Sequence, residues 1–256
     1  MIGMSCTEFG VIDPEKVMDM VSKDFELWEI FSEDENAVTR FSSRFNETKG
    51  MYDMKYSIHA PICDINIASL NERIREASVE EMLRTMEHAN RMGIKMITIH
   101  PGLYSTVLHG VNDRSAGLAK RSLKTIEKCS EEYGVIAAIE NMPSLRIMMG
   151  QTPKDLLELI DGTDLVICFD IGHANTMGLI DECIDAFGKR IANIHIHDNT
   201  GKSDDHMTIG DGEIDFIKVL SKLRWYNGNY IIESKSMESA VVSKGRLEKI
   251  MRKVKS

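Results

Sequence analysis

Short apolar runs recur along the chain, and a stretch with helical periodicity follows each of them. The runs are rich in β-branched residues, as buried strands are. Eight occur, at residues 2–6, 25–31, 54–59, 95–100, 135–140, 165–170, 191–197 and 229–233. Between them, apolar residues repeat every three or four positions, as at Val79, Met82, Met86 and Ala89, which indicates amphipathic helices. The pattern predicts an alternation of strands and helices.

Three short motifs are typical of helix starts. Asp13-Pro14 and Thr152-Pro153 each place proline at the first position of a predicted helix, where its missing N–H costs nothing. Ser78 and Glu81 have the spacing of a capping box, in which each side chain would accept a backbone N–H. These motifs support the division into strand and helix.

Eight strands that alternate with helices predict a (β/α)8 TIM barrel, because such connections give a parallel sheet with right-handed crossovers. An open, doubly wound sheet is the alternative. It usually has fewer strands and a Gly-rich first turn, and this chain has no G-x-G-x-x-G. At 256 residues, without a Pro-rich linker, the chain is expected to form a single domain over residues 1–256.

Composition narrows the function classes. No basic leader precedes an apolar run, and no run nears the roughly 20 residues of a membrane span, so a cytoplasmic protein without a membrane partner is expected. The five cysteines are scattered without a C-x-x-C pair, which favours reduced thiols over disulfides or a thiolate zinc site. The net charge of −9 disfavours non-specific attraction to nucleic acid. A homo-oligomer is compatible with all of this.

Histidines concentrate at the predicted strand ends, where TIM barrels carry their active sites. The eight windows at these ends cover roughly an eighth of the chain, so chance would place about one of the 8 histidines there. Five lie there, and a sixth, His206, follows the seventh strand. The five are His59, His100, His173, His195 and His197.

Carboxylates share this predicted face. Glu140, Asp170 and Glu233 end the fifth, sixth and eighth strands, and an unpaired carboxylate in a barrel mouth is costly to bury. A cation is the natural partner, and mixed His and Asp/Glu ligands suit Zn²⁺, Mn²⁺, Fe²⁺, Co²⁺ or Mg²⁺ without choosing among them. The sequence therefore predicts a divalent-metal site of undetermined identity.

Several residues keep a second interpretation. His59 and His100 could be hydrogen-bonded strand-end histidines rather than ligands. His197 shares a strand face with His195, so it could contact substrate, support a ligand or fill the barrel interior. Glu29 on the second strand resembles a polar interior residue more than a ligand. The cysteines near the mouth, Cys6 and Cys63, are expected to pack rather than bind.

An ordered set of motifs resembles the xylose-isomerase-like barrel superfamily, which joins sugar isomerases and epimerases, inosose dehydratases and endonuclease IV. The similarity runs from His59 to Glu233 and is not specific for one reaction. The motifs are His59-Ala60-Pro61, Thr98-Ile99-His100-Pro101-Gly102, Ile139-Glu140-Asn141, Phe169-Asp170-x-x-His173, His195-x-His197-Asp198-Asn199, and Gly201 to His206 followed by Gly210 to Asp215.

The resemblance implies functional positions. The metal centre of the isomerases and epimerases would fall on Glu140, Asp170, His195 and Glu233. His173 would bind substrate or metal, His197 is a further candidate substrate contact, and Lys202 stands where those enzymes often place an arginine. Endonuclease IV uses a larger set for three zinc ions, and this chain matches its extra ligands at His59, His100, His173, Asp204 and His206.

Two functions follow as hypotheses. The first is a divalent-metal-dependent isomerase or epimerase of a small sugar, sugar phosphate or cyclitol, which forms an enediolate with Glu140 and Glu233 as acid and base. The alternative is an endonuclease IV-like phosphodiesterase acting at abasic sites, with DNA as partner. Against it, Ala60-Pro61-Ile62-Cys63 lacks the aromatic residue that the nuclease uses to open the duplex.

Overall fold

In the computed structural model, which describes residues 1–255, eight parallel strands form a closed barrel in chain order. The first strand pairs with both the second and the eighth, so the sheet has no free edge. The strands are β1 Ile2–Ser5, β2 Leu27–Phe31, β3 Lys55–His59, β4 Met96–Ile99, β5 Ile136–Glu140, β6 Val166–Asp170, β7 Ile191–Ile196 and β8 Asn229–Glu233. Each coincides with a predicted run within two residues, and the TIM barrel is confirmed.

Each connection between consecutive strands contains at least one α-helix, and a last helix follows β8. The α-helices are α1 Pro14–Val21, α2 Val38–Thr48, α3 Glu72–Met92, α4 Asn112–Tyr133, α5 Pro153–Leu159, α6 Ile171–Thr176, α7 Ile180–Phe187, α8 Phe216–Lys222 and α9 Met237–Lys255. Short 3₁₀ turns lie at Thr7–Val11, Asp34–Asn36, Lys49–Met51 and Gly188–Arg190. None of the helices within residues 1–255 combines the length and apolar character needed to cross a membrane.

Two of the three predicted helix starts are confirmed. Asp13 caps α1 by accepting the Glu15 N–H, and Thr152 caps α5 by accepting the Asp155 N–H, with proline at the first helical position in both. The predicted capping box is wrong. Ser78 lies inside α3, where its hydroxyl donates to Ile74 O at 2.7 Å, and the helix begins at Glu72 with Asn71 as its cap.

The strand pleat separates two environments. Along β2, Trp28 and Ile30 belong to the apolar core of the molecule, whereas Glu29 contacts Ser57 of β3 and Asn193 of β7. Because β3 and β7 lie on different sides of the barrel, Glu29 points into its interior. The interior below the mouth is therefore polar, and the apolar core lies around it.

Candidate metal centre

The carboxyl ends of the strands bring the predicted ligands together. His59, Glu140, Asp170 and His195 lie on strands, and each is at most 4% exposed. Glu233 ends β8, with its side chain 12% exposed. These positions converge because parallel strands end at the same barrel face.

Glu140 is the centre of the cluster. Its Oε1 lies 2.9 Å from His195 Nδ1, and its Oε2 lies 3.0 Å from His100 Nε2 and 3.5 Å from His59 Nε2. The two carboxylate oxygens thus face different histidines. His59, His100 and Glu140 form one group whose ligand atoms all lie within 4.8 Å of one another.

A second group shares Glu140 and adds Asp170, His195 and Glu233, with ligand atoms again within 4.8 Å of one another. His195 Nδ1 lies 3.1 Å from Glu233 Oε1. These are the four residues predicted to form the metal centre. One carboxylate therefore belongs to two adjacent groups of potential ligands.

A third group surrounds Asp204, on the loop after β7. Asp204 Oδ2 lies 3.3 Å from His173 Nε2 and 3.2 Å from His206 Nε2, and Oδ1 lies 3.1 Å from His197 Nε2. All four residues form one group of potential ligands. The structure thus gathers all nine residues that the endonuclease IV resemblance implies.

Buried Asp198 fixes the loop that carries this third group. Its carboxylate accepts backbone N–H groups from Asn199, Gly210, Gly212 and Ile214, at 2.8 to 3.2 Å. The chain approaches so closely that a Cβ at Gly212 would lie 2.3 Å from Asp198 Oδ1. These bonds position the loop without using any of the candidate ligands.

His197 is held tightly between the second and third groups. Its ring stacks on His206 with centroids 4.1 Å apart and planes 4° apart, and its Nε2 lies 3.5 Å from Asp170 Oδ1. Lone pairs lie in the ring planes, so parallel rings do not point both nitrogens at one ion. This geometry favours His197 as a partner that orients Asp170 and Asp204.

Glu29 lies directly beneath His195. The Glu29 Oε1 and His195 Nε2 atoms are 2.7 Å apart, although their alignment is not that of a hydrogen bond, and Ser57 and Asn193 donate to Oε2. This placement agrees with an interior polar residue, but its contact with the candidate ligand was not predicted. Period two along β2 was the available signal, because it turns Glu29 inward.

Cys168 was also missed, since the sequence favoured no cysteine as a ligand. It forms a group of potential ligands with Glu140 and His195. Burial raises the pKa of its thiol to about 12. In the metal-free protein the thiol therefore stays protonated, which leaves the carboxylates and imidazoles as the stronger donors.

In this cluster, neighbouring groups of opposite charge stabilise the charged forms of Glu140, Asp204 and His173. Burial alone would raise the pKa of Glu140, but the adjacent His195 and His100 hold it well below its usual range. The pKa of Asp204 is likewise lowered despite burial, by His173, His197 and His206. Burial lowers the pKa of His173, but Asp170 and Asp204 outweigh it and raise that pKa to about 10.

These shifts predict how the metal-free protein responds to pH. The folded-state pKa of His173 is above its unfolded value near 6.5, so its stabilising contribution is complete below that value and is lost as pH rises through about 10. We expect the free energy of unfolding, measured by urea titration in chelator, to fall from pH 6.5 to 10. His173→Gln should flatten this dependence. A parent protein whose stability stays constant over this range would contradict the prediction.

A divalent metal fits this cluster because several of its buried carboxylate oxygens lack a hydrogen-bond partner. Among the described residues, Glu140 Oε2, Asp170 Oδ2 and Asp204 Oδ1 are buried without an aligned hydrogen bond. Three such oxygens at one mouth are costly unless a cation pairs with them. Mixed imidazole and carboxylate donors suit the borderline and hard divalent ions, and they do not fix which ion binds.

A cavity of about 180 Å³ opens above the cluster. His59, His100, His173, His206 and Glu233 contribute to its walls. Apolar side chains form much of the remainder, namely Phe31, Ile62, Met142, Pro143, Leu145 and Met148. No Lys or Arg of residues 1–255 lines it. A larger cavity of about 290 Å³ lies at the opposite end of the barrel. In TIM barrels, residues at that end usually contribute to stability rather than to catalysis.

The structure does not bring Lys202 into this cavity. Lys202 is exposed on the loop after β7 and is absent from the cavity walls, whereas Asp204 and His206 of the same loop line them. His173, another candidate substrate contact, does line the cavity and lies in the first turn of α6. A role for Lys202 in substrate binding stays a prediction and would require movement of the loop.

Comparison with known proteins defines the class. A family model described as a xylose isomerase-like TIM barrel matches residues 16–254, and this chain belongs to that family. The resemblance inferred from the sequence motifs is thereby confirmed.

The individual relatives include both an epimerase-like protein and a probable endonuclease. An uncharacterised protein of Methanocaldococcus jannaschii is 35% identical, over 95% of this chain and 89% of its own. The solved structure of a D-tagatose 3-epimerase-like protein superposes with a TM-score of 0.93 at 33% identity, covering 99% of this chain and 98% of that one. A probable endonuclease 4 of Aquifex aeolicus is 29% identical and is matched over 61% of each chain.

Proposed function

We propose that this protein is a divalent-metal-dependent isomerase or epimerase of a small sugar. The observation that carries the proposal is the cavity of about 180 Å³ above the ligand cluster, whose walls include no Lys or Arg of residues 1–255. Sites for drug-sized ligands span roughly 300–1,000 Å³, so this one suits a smaller molecule. A DNA-binding site, in contrast, needs a basic surface along the phosphate backbone. The similarity to a D-tagatose 3-epimerase-like protein also supports a sugar substrate.

Glu140, Asp170, His195 and Glu233 would hold the metal. When bound, the metal would polarise a substrate carbonyl and stabilise negative charge on oxygen. Glu233 borders the cavity, so its carboxylate is placed to take the proton from the carbon beside the carbonyl. Because its pKa lies well below its usual range, Glu140 would first have to take up a proton from water before it could reprotonate the enediolate from the opposite side, while Glu233 would release the proton it removed to water.

The two glutamates are not equivalent in their surroundings. Glu140 is 1% exposed and lies below the cavity with both oxygens facing histidines, so it must release one of these contacts to act as an acid. His59 and His100 line the cavity next to it and could donate hydrogen bonds to substrate hydroxyls. Glu233 is therefore the residue on which proton removal depends most directly.

Turnover in deuterium oxide tests the proposal. The metal-reconstituted protein should epimerise or isomerise at least one ketose in a sugar panel, with solvent deuterium appearing at the carbon next to the carbonyl. Glu233→Gln should abolish the exchange. Turnover without exchange would indicate hydride transfer and contradict the two-glutamate mechanism. A panel that gives neither turnover nor exchange with any metal would contradict the function.

A second candidate is phosphoester hydrolysis, because three groups of ligands made only of histidines and carboxylates share one mouth, and Glu140 belongs to two of these three. Adjacent metals can activate water and neutralise charge on a phosphate. The measurement is metal count per chain together with cleavage of an abasic-site duplex. Two or three ions in the parent, reduced to one in the His100→Ala, His206→Ala double variant with loss of cleavage, would support hydrolysis. One retained ion with weaker sugar binding would support the isomerase.

A further inference from the structure

A second, smaller cavity adjoins the one above the ligand cluster. Its volume is about 130 Å³, and it shares three wall residues with the first cavity, Ile62, His100 and Met148. We call it the side chamber. A molecule bound beside His100 in the first cavity would therefore have the side chamber next to one of its ends.

The side chamber is almost entirely apolar. Among residues 1–255, the polar side chains on its walls are Asn66 and His100, and each already contacts other groups of the protein. Asn66 Oδ1 accepts the N–H groups of Ala68 and Leu103, at 2.9 and 3.0 Å, while Nδ2 donates to Leu103 O at 3.1 Å. His100 Nε2 faces Glu140. The remaining walls come from Pro61, Ile62, Ile65, Ile67, Met82, Gly102, Leu103, Ile147 and Met148.

We propose that the side chamber receives an apolar end of the substrate, so that the preferred substrate is an unphosphorylated deoxy sugar whose terminal carbon is a methyl group. This inference rests on the proposed function. Among the apolar side chains of the side chamber, a terminal hydroxyl would lose its bonds to water without gaining a partner, whereas a methyl group gains from burial. A terminal phosphate would meet no Lys or Arg, since none of residues 1–255 contributes one to either cavity.

The expected preference is large enough to measure. A buried hydroxyl without a partner costs enough to change binding by about 10- to 100-fold, and loss of one methyl contact changes it by about 10-fold. We therefore expect kcat/KM for a 6-deoxyketohexose to exceed that of its 6-hydroxy counterpart by at least about 10-fold.

The experiment compares matched sugars on the metal-reconstituted protein. L-Rhamnulose is paired with L-fructose and L-fuculose with L-tagatose, and kcat/KM is measured for each. Binding of the corresponding 6-deoxyhexitols and hexitols, which cannot react, is measured by calorimetry. If the sugars turn over, equal kcat/KM values within both pairs would overturn the proposal; if they do not turn over, equal binding of the alcohols would overturn it.

Two variants locate the preference. Met148→Gln keeps the side-chain length but puts an amide on the shared wall, and should reduce the deoxy preference about 10-fold. Leu145→Gln makes a comparable change on a residue that lines the first cavity alone, and should leave the preference intact. Ile65→Phe, which fills the side chamber without adding a polar atom, should also remove it. Equal effects of Met148→Gln and Leu145→Gln would contradict this location.

The binding measurement separates this inference from the function on which it rests. If no sugar turns over but 6-deoxyhexitols bind at least about 10-fold more tightly than hexitols, the isomerase proposal fails and the side chamber keeps its role. If sugars turn over without any deoxy preference, the side-chamber proposal fails and the isomerase stands. Absence of both turnover and binding preference overturns both.

Discussion

Glu140→Gln should remove metal from the centre and reduce activity by more than about 100-fold, beyond the loss typical of residues that only support ligands. The change preserves size but replaces a charged carboxylate that faces His59 and His100 through one oxygen and His195 through the other. An amide offers one weak oxygen donor instead of two, so it cannot serve both groups of ligands. The loss should therefore exceed that of a residue belonging to one group.

Metal content after reconstitution and dialysis is the direct measurement for this variant, with activity as the second. Glu47→Gln is a suitable control, because Glu47 is an exposed glutamate on α2, away from the barrel mouth. The control should keep the parent's metal content and activity. Full metal content in Glu140→Gln would show that Glu140 is not a ligand, whatever happened to activity.

Gly172→Ala should disrupt the third group of ligands although it removes none of them. A Cβ at Gly172 would lie 2.1 Å from Cε1 and 2.3 Å from Nε2 of His197. His197 is fully buried and stacked on His206, so its ring has no free space to move into. Overpacking of this kind costs about 1–3 kcal/mol, and the displaced ring would carry Asp204 out of position.

Gly117→Ala provides a matched control for this substitution. Both glycines lie in helices, α6 and α4, but a Cβ at Gly117 would meet no heavy atom within 4 Å beyond its chain neighbours and its own helix backbone. The control should be stabilised by about 0.5–1 kcal/mol, because alanine favours the helix. Urea unfolding with metal analysis distinguishes the two variants. Unchanged stability and metal content in Gly172→Ala would mean that His197 can relax and does not hold the third group in place.

The sequence alone determined the strand order and the barrel. Eight apolar runs with amphipathic stretches between them specify alternating strands and helices, and that alternation allows few topologies. The capping box failed for a local reason. Ser78 and Glu81 have the required spacing, but Asn71 begins the helix earlier and leaves Ser78 to bond within it.

Residue types at strand ends also indicated the candidate site. His59, Glu140 and His195 could be grouped from the sequence because parallel strands end on one face, so position along each strand implies position around the mouth. Loop residues allowed no such inference. Lys202 and Asp204 are two positions apart, yet Asp204 lines the cavity and Lys202 is exposed, because the bonds to Asp198 set the path of the loop.

Only the tertiary structure decided how the gathered residues divide their contacts. The sequence lists candidate ligands, but it does not reveal that the two oxygens of Glu140 face different groups, that Glu29 supports His195 from below, or that an apolar chamber adjoins His100. These features join residues from strands and loops far apart in the chain. They depend on distances of a few ångströms, which barrel closure and side-chain packing fix and local sequence patterns do not.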